Sequence, residues 1–516
     1  MRFILFFLLI VSACQNPKKP SEPPYAKMNL VSDPSTLDPA AARSLNDLTL
    51  ARMFFEGLTR MGPEAEPQLA LARSVEISAD LKTYTFELGE MFWSNGQQIK
   101  ASDFVYGYRR ALAPSFNGSY VSSLYCIKNG RQVKEGALSQ EALGIQAIGD
   151  KTLVIHLEYP IPYFLKLLTI PVFFPICEEV DQKVPRWMQK TETFVCNGPF
   201  YPKKWEHASS LLATKNPHYW DVKNVELEGI EFLMVTGETE LKLYEKKQLH
   251  WAGSPLSTLP VDALKDLKEK GALHARPILG TCFIRINTER LPDPLMRRSL
   301  SSAISRQELT AHVLAGAQIP ASGLVPPALC REKKVHFSDG AIEEARALMQ
   351  GTTSPNKLTL TYVANERNHH LTQALQEQWR GSLGIEVALE GLEPKIYYDR
   401  IGRQDYDLAL GSWTAEVEDP INFLELFKHK TSGTNNTLWE NIAYRDLLGA
   451  SFQSLDPTER LKLLEQSEEI LMKEMPIIPL YHYTLLYLQD DQLEGVVISS
   501  LGVLDFKWAK LHAEEK

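Results

Sequence analysis

The chain has 516 residues, a net charge of −9, 44% hydrophobic residues and 23% charged ones. That length exceeds one ordinary core and predicts two or three domains, and the composition is globular rather than disordered. The acidic balance excludes a general affinity for nucleic acid, since the uninterrupted basic runs are only pairs such as Lys203-Lys204 and Lys333-Lys334.

The N-terminus carries Arg2, the nine apolar residues Phe3 to Val11, and then Ser12, Ala13 and Cys14. A membrane-spanning helix needs roughly 20 apolar residues. The shorter run reads as a signal peptide over residues 1–13. VSAC resembles a bacterial lipobox, which makes Cys14 the expected lipidation site and predicts a protein anchored on the periplasmic side of a bacterial membrane. The polar, Pro-rich segment 14–27 reads as a tether. Five other cysteines form no CxxC pair, so no zinc framework is expected. Cys177 and Cys196 flank one segment and are the expected disulfide pair.

Residues 28–31 read as a strand. Asn46 to Gly57 reads as a helix capped by Asn46 or Asp47. Leu81 to Leu88 alternates as a strand. Asn95-Gly96 marks a tight turn, and Ser102 is the expected cap of a helix with Phe104, Val105, Tyr108 and Leu112 on one face. Gly144 to Leu157 reads as a hairpin turning at Gly149-Asp150. Strands are expected from Leu211 and over Val225 to Val235, with a helix over Glu238 to Leu249. Near residue 280 the pattern restarts: a strand over Cys282 to Asn287, helices over Pro294 to Arg306 and Ile342 to Met349, a strand over Lys357 to Val363, a helix over His370 to Leu383, and a strand over Gly384 to Leu389. Tyr406, Leu408 and Leu410 then alternate in a strand that opens into Trp413 and the acids Glu416, Glu418 and Asp419. The helix Arg460 to Met472 and the apolar strand Ile477 to Leu488 follow. This order is that of an α/β lobe with a mixed sheet.

Catalytic motifs are lacking: there is no GxSxG, HExxH, P-loop or phosphate-binding GxGxxG. Adjacent helical residues diverge, so His369 and His370 do not suit a shared metal. The acids after Trp413 have no identifiable partner for a glycosidase pair. A hydrolase on a bilobal scaffold is the rival reading outside binding proteins. The nine Trp and nineteen Tyr residues suit both cores and a ligand-enclosing cleft.

Several stretches in order resemble one family, the extracytoplasmic solute-binding proteins of peptide ABC transporters (family 5, the oligopeptide- and dipeptide-binding group). They are TLDPA (36–40), MFFEGL (53–58), WSNGQQIKASDFVYGYRRAL (93–112), GIQAIGDKTLVIHLEYPIPYF, NGPFYPKKW, KNPHYWD, FIRINTERLPDPLMRRSLSSAISR and PASGLVPP. The resemblance implies an α/β, bilobal periplasmic-binding-protein-like fold with an extra inserted domain, three domains with mixed sheets in all. Lobe I would take residues 28–60, 190–278 and 489–516, the inserted domain 61–189 and lobe II 279–488. It further implies a monomeric, non-enzymatic receptor without cofactor or metal, whose partners are a short peptide and a membrane-embedded ABC permease. Receptors for a murein tripeptide, a dipeptide or a nickel chelate are the alternatives within the group.

By the same resemblance, Trp413 stands at a cleft tryptophan and Glu416 where relatives pair an acid with the peptide's α-ammonium. Ser412 and Thr414 lie beside it. Arg43, Ser44 and Leu45 occupy the facing segment, with Tyr120 at a cleft tyrosine. Relatives that hold a free peptide carboxylate carry an Arg where this chain has Leu410 and a His where it has Asn368. His369, Arg400 or Arg43 is therefore expected to take that role.

Overall fold

The computed structural model describes residues 25–64, 66–314, 318–332, 334–352, 357–454 and 456–512. Cys14, the signal peptide and most of the tether lie outside the described residues. Among those residues no helix is long and apolar enough to cross a membrane.

Two lobes are organised around separate sheets. In the first, Ala26–Asn29 pairs in parallel with Gly229–Leu233, and Ser210–Lys215 and Phe200–Glu206 continue the sheet antiparallel. Residues 26 and 27, expected in the tether, are thus the start of a strand, because Ala26 and Met28 both contribute to the core. A second, antiparallel sheet has the order Ala72–Ile77, Thr83–Leu88, Thr152–His156, Ile145–Ile148. One continuous apolar cluster runs through both sheets, from Met28 and Phe232 through Phe54 to Phe86, Tyr108 and Leu153.

The helix over Leu45–Phe54 starts one residue earlier than the sequence suggests. Its cap is Ser44, whose hydroxyl accepts from the Asp47 N–H at 3.1 Å, while Asp47 accepts from the Ser44 N–H. This reciprocal capping box satisfies two otherwise orphaned donors. Similarly, Ala101–Ala111 is capped at Lys100 rather than at Ser102, with Asp103 reaching back to the Lys100 N–H at 3.0 Å.

The second lobe holds the seven-stranded mixed sheet. Its order is Trp251–Gly253, Ile477–Gln489, His274–Ile286, Leu408–Thr414, Lys357–Val363, Glu386–Leu392, with Ile319–Pro320 also on Ile477–Gln489. His274–Ile286 and Ile477–Gln489 are 13 residues each and pair antiparallel. At about 3.3 Å per residue each spans roughly 40 Å, so these two strands carry the chain between the lobes. The pattern restart near residue 280 therefore falls inside one strand. Its first half was missed because His274 to Pro277 is exposed and shows no alternation.

The helix Glu366–Leu383 buries Leu371, Leu375 and Trp379 at four-residue spacing against this sheet. Each such side chain contributes about 1.5–3 kcal/mol. The helix begins at the Asn365 cap and stops at Gly384, where φ of 69° favours a residue without a Cβ.

The expected Cys177–Cys196 disulfide is not formed; all five described cysteines are free thiols. Each thiol of that pair has a separate partner, Gln97 Oε1 for Cys177 and the Phe200 carbonyl for Cys196.

Candidate functional site

The site begins with an incompletely paired strand. Leu408–Thr414 pairs along its whole length with His274–Ile286, from Leu408↔Ile286 to Thr414↔Gly280. On its other edge it pairs with Lys357–Val363 only at Leu408 and Ala409. That neighbour ends at Val363, and the chain turns off into the helix starting at Glu366. The Leu410 carbonyl accepts from the Tyr397 hydroxyl, and from Gly411 onward this edge has no strand partner among the described residues. A buried peptide must keep its backbone hydrogen bonds, and such an edge offers them to an added strand.

Leu408, Leu410, Ser412 and Thr414 share one face of the strand, which is covered by the core at its start and open at its end. Leu410 points into the core of the lobe with Leu408 and Ile284; it is a packing residue and not part of the cleft surface. Ser412 and Thr414 are exposed, and Trp413 is half-buried. Beyond the strand, Ala415 keeps the chain extended by donating to the Leu279 carbonyl at 2.7 Å. Asn422 then fixes the turn: its Oδ1 accepts from the Trp413 indole N–H and from the Glu416 backbone N–H, both at 3.0 Å.

Glu416 projects toward the first lobe, where the Ser123 hydroxyl is its hydrogen-bond partner and Tyr120 lies close enough to feel its charge. Burial pushes the Glu416 carboxyl up to about 7, against a small opposing effect of Ser123. Burial, reinforced by the Glu416 charge, pushes the Tyr120 phenol up to about 12. Without a cation beside it, this carboxyl is close to half-protonated at neutral pH. A cavity of about 620 Å³ opens here between the lobes, lined by Ser123, Tyr125 and Tyr159 on one side and Trp413, Glu416 and Glu425 on the other.

The neighbouring acids do different work. Glu418 bridges to Lys166 of the first lobe at 3.5 Å and accepts from Ser500. Asp419 is buried against Arg460 in a two-pronged pair at 2.7 and 2.9 Å. Tyr159 meets Phe452 edge to face across the lobes, with ring centroids 5.2 Å apart.

Of the other expected cleft residues, Tyr120 and Leu45 pack together around Ala42, Leu48 and Val503, beside Glu416. Ser44 is used as the helix cap, and Arg43 is exposed with one donor on the Asn117 carbonyl at 3.2 Å. The other two candidates for a carboxylate at the far end, Arg400 and His369, already have partners, as does Asn368 at the position of the missing His. Arg400 is paired with Glu390. His369 is held between the Tyr362 hydroxyl at 2.8 Å and Gln373 at 3.0 Å. Asn368 donates its amide to the Val363 carbonyl at 2.9 Å. Sequence reasoning missed Ser123 and Asn422, because nothing local marks a hydroxyl or an amide whose partner lies on another element. No cluster of His, Cys, Asp and Glu among the described residues could hold a metal ion.

Residues 66–435 match the family described as bacterial extracellular solute-binding proteins, family 5. The chain belongs to that family. Among family 5 relatives, it is 34% identical to the oligopeptide-binding protein OppA of Bacillus subtilis (strain 168), over 98% of this chain and 97% of that one. Its fold superposes on MppA, a periplasmic murein tripeptide binding protein in an unliganded open form, with a TM-score of 0.81 and 26% identity over 94% of this chain and 97% of the other. The Haemophilus influenzae OppA complex with RPPGFSPFR gives a TM-score of 0.79 at 25% identity, covering 95% and 99%. The bilobal α/β fold is thus that of family 5.

Proposed function

We propose that this family 5 protein is a non-catalytic receptor that captures short peptides between its lobes and delivers them to an ABC permease. The unpaired edge from Gly411 to Thr414, ending at the Glu416 carboxyl, is the observation that carries this reading. Backbone pairing along the edge recognises a peptide without reading its side chains. A half-buried acid beside it suits an α-ammonium, which needs a counter-charge when it leaves water. Closure of the lobes about the two 13-residue strands would give the permease a liganded state to sense. The likeness to a murein tripeptide binding protein supports a modified peptide as the second reading.

Mass spectrometry of ligand released from the purified protein tests both. Short unmodified peptides are the expected result, murein peptides would select the second reading, and a non-peptide solute or turnover of added peptide would overturn the proposal. Anchoring through Cys14 is part of the same reading. Cys14→Ser is expected to move the protein from the membrane fraction to the soluble one, and unchanged membrane association would overturn the anchor.

A further inference from the structure

The turn after the open strand edge crosses from one lobe into the other. Ala415 belongs to an apolar cluster of the second lobe, and Val417, two residues on, is buried in the large cluster of the first. Both ends of the turn are held by the second lobe. Ala415 donates to the Leu279 carbonyl at 2.7 Å, and Asp419 is paired with Arg460. Residues 416–418 therefore form a finger, fixed at its base in the second lobe and packed at its tip in the first.

Glu418 carries a charge across on this finger. One of its carboxylate oxygens accepts from the Ser500 hydroxyl, and the other lies 3.5 Å from the Lys166 ammonium. The same charge reaches Arg52, in the last turn of the helix Leu45–Phe54. Arg52 is buried and makes no ion pair among the described residues. Burial pushes its guanidinium below the ordinary arginine value and Arg60 adds to the lowering, opposed by Asp505 and, from the second lobe, by Glu418. Asp505 is already committed to Arg60 at 2.6 Å and to the Lys507 N–H at 2.9 Å. A buried cation needs counter-charge, and Glu418 adds to what the first lobe supplies. Lys166 stands on a face of the first lobe that meets the second three times. Tyr159 meets Phe452, the Tyr163 ring carries Arg460 at 5.2 Å, and Lys166 meets Glu418. Glu416 and Val417 line the cavity between the lobes, whereas Glu418 lies outside that lining.

We propose that Glu418 is a positioning residue for capture: its charge seats the finger in the first lobe between Lys166 and Arg52, and so stabilises the closed lobes without touching the ligand. The inference rests on the peptide-receptor reading above and names where part of that receptor's affinity arises. A ligand binds with its full affinity only to the fraction of protein that is competent to hold it. A contact between the lobes raises that fraction and reads no feature of the peptide, so every ligand gains by the same factor.

The test is calorimetric titration of wild type, Glu418→Gln, Lys166→Met and the double variant with tri-alanine and with N-acetyl-tri-alanine. Glu418→Gln is expected to weaken both peptides by the same factor, about 5- to 30-fold. Lys166→Met is expected to weaken them by about 2- to 5-fold. The double variant is expected to lose no more than Glu418→Gln alone, because both changes break one contact. Small-angle scattering adds a readout without peptide: Glu418→Gln is expected to be more expanded than wild type, and saturating peptide to bring the two together. Losses that multiply in the double variant overturn the role of Glu418, since the two residues then act independently. A loss confined to tri-alanine overturns it too, since Glu418 would then be reading the ammonium, and so does unchanged affinity with unchanged scattering. Failure of wild type to bind either peptide overturns the peptide reading, and the scattering comparison then decides whether Glu418 holds the lobes together.

Discussion

Replacing Glu416 by Gln is expected to weaken binding of peptides with a free α-amino group by about 2–4 kcal/mol, a factor of roughly 30 to 1000. N-acetylated versions of the same peptides are expected to lose little, because they bring no charge to this position. Equal loss for both would remove the ammonium role from Glu416. Protein stability is not the confounder, since a neutral amide avoids the burial that raises the Glu416 carboxyl to about 7. The melting temperature of Glu416→Gln is expected to hold or rise.

The raised carboxyl also fixes the sign of a pH effect. An ammonium favours the ionised form, so binding lowers the carboxyl's pKa and releases protons at and below neutral pH. Affinity is expected to climb between pH 5 and about 7 and to fall above about 8, where the ligand's own amine loses its proton. In the ligand-free protein the linkage has the opposite sense. The group's folded pKa, about 7, lies above its ordinary 4.5, so its stabilising contribution is complete below 4.5 and lost as pH rises through 7. Calorimetry in buffers of different ionisation enthalpy measures the released protons directly, and Glu416→Gln should abolish them.

Much of the fold was legible because its signals are local. The Gly144–Leu157 hairpin and the Ile477–Gln489 strand follow from alternation and turn residues, and the α/β character of the second lobe from strand and helix order. Legibility ended where a partner lay far along the chain. Ser44 and Asn46 are both good caps, and only the Asp47 side chain, also bonded to Ser35, selects Ser44. The site divides in the same way. Trp413 and Glu416 stood out as an indole and an acid at the mouth of one strand. Ser123 gave no comparable signal, because its meaning depends on Glu416, far along the chain on the other lobe. The three acids after Trp413 were indistinguishable by type, and their roles are assigned by Ser123, Lys166 and Arg460, each on a different element.

The last of those assignments predicts the largest change in stability. Arg460 and Asp419 are both buried and share two hydrogen bonds. Arg460→Met leaves the Asp419 carboxylate buried without its counter-charge, which is expected to cost about 3–5 kcal/mol. In a unit of roughly 150–250 residues that lowers the melting temperature by about 6–20 °C. Lys166→Met removes the more exposed partner of Glu418 and is expected to cost no more than about 1 kcal/mol. The double change Arg460→Met with Asp419→Leu decides between a missing charge partner and missing volume. If the unpaired charge is the cause, the second substitution recovers most of the loss, because an apolar pair of similar size carries no desolvation cost. A residue of about 1 kcal/mol remains, since Asp419 also accepts from the Ile421 N–H at 3.0 Å at the start of the next helical turn. Additive losses in the double variant would show that the pair acts through packing. The outcome bears on the site because Asp419 and Asn422 pin the two sides of the turn that presents Glu416. A slack turn would leave Glu416 in place chemically but no longer aligned with the edge, so peptide affinity is expected to fall along with stability in Arg460→Met and to return with it in the double variant.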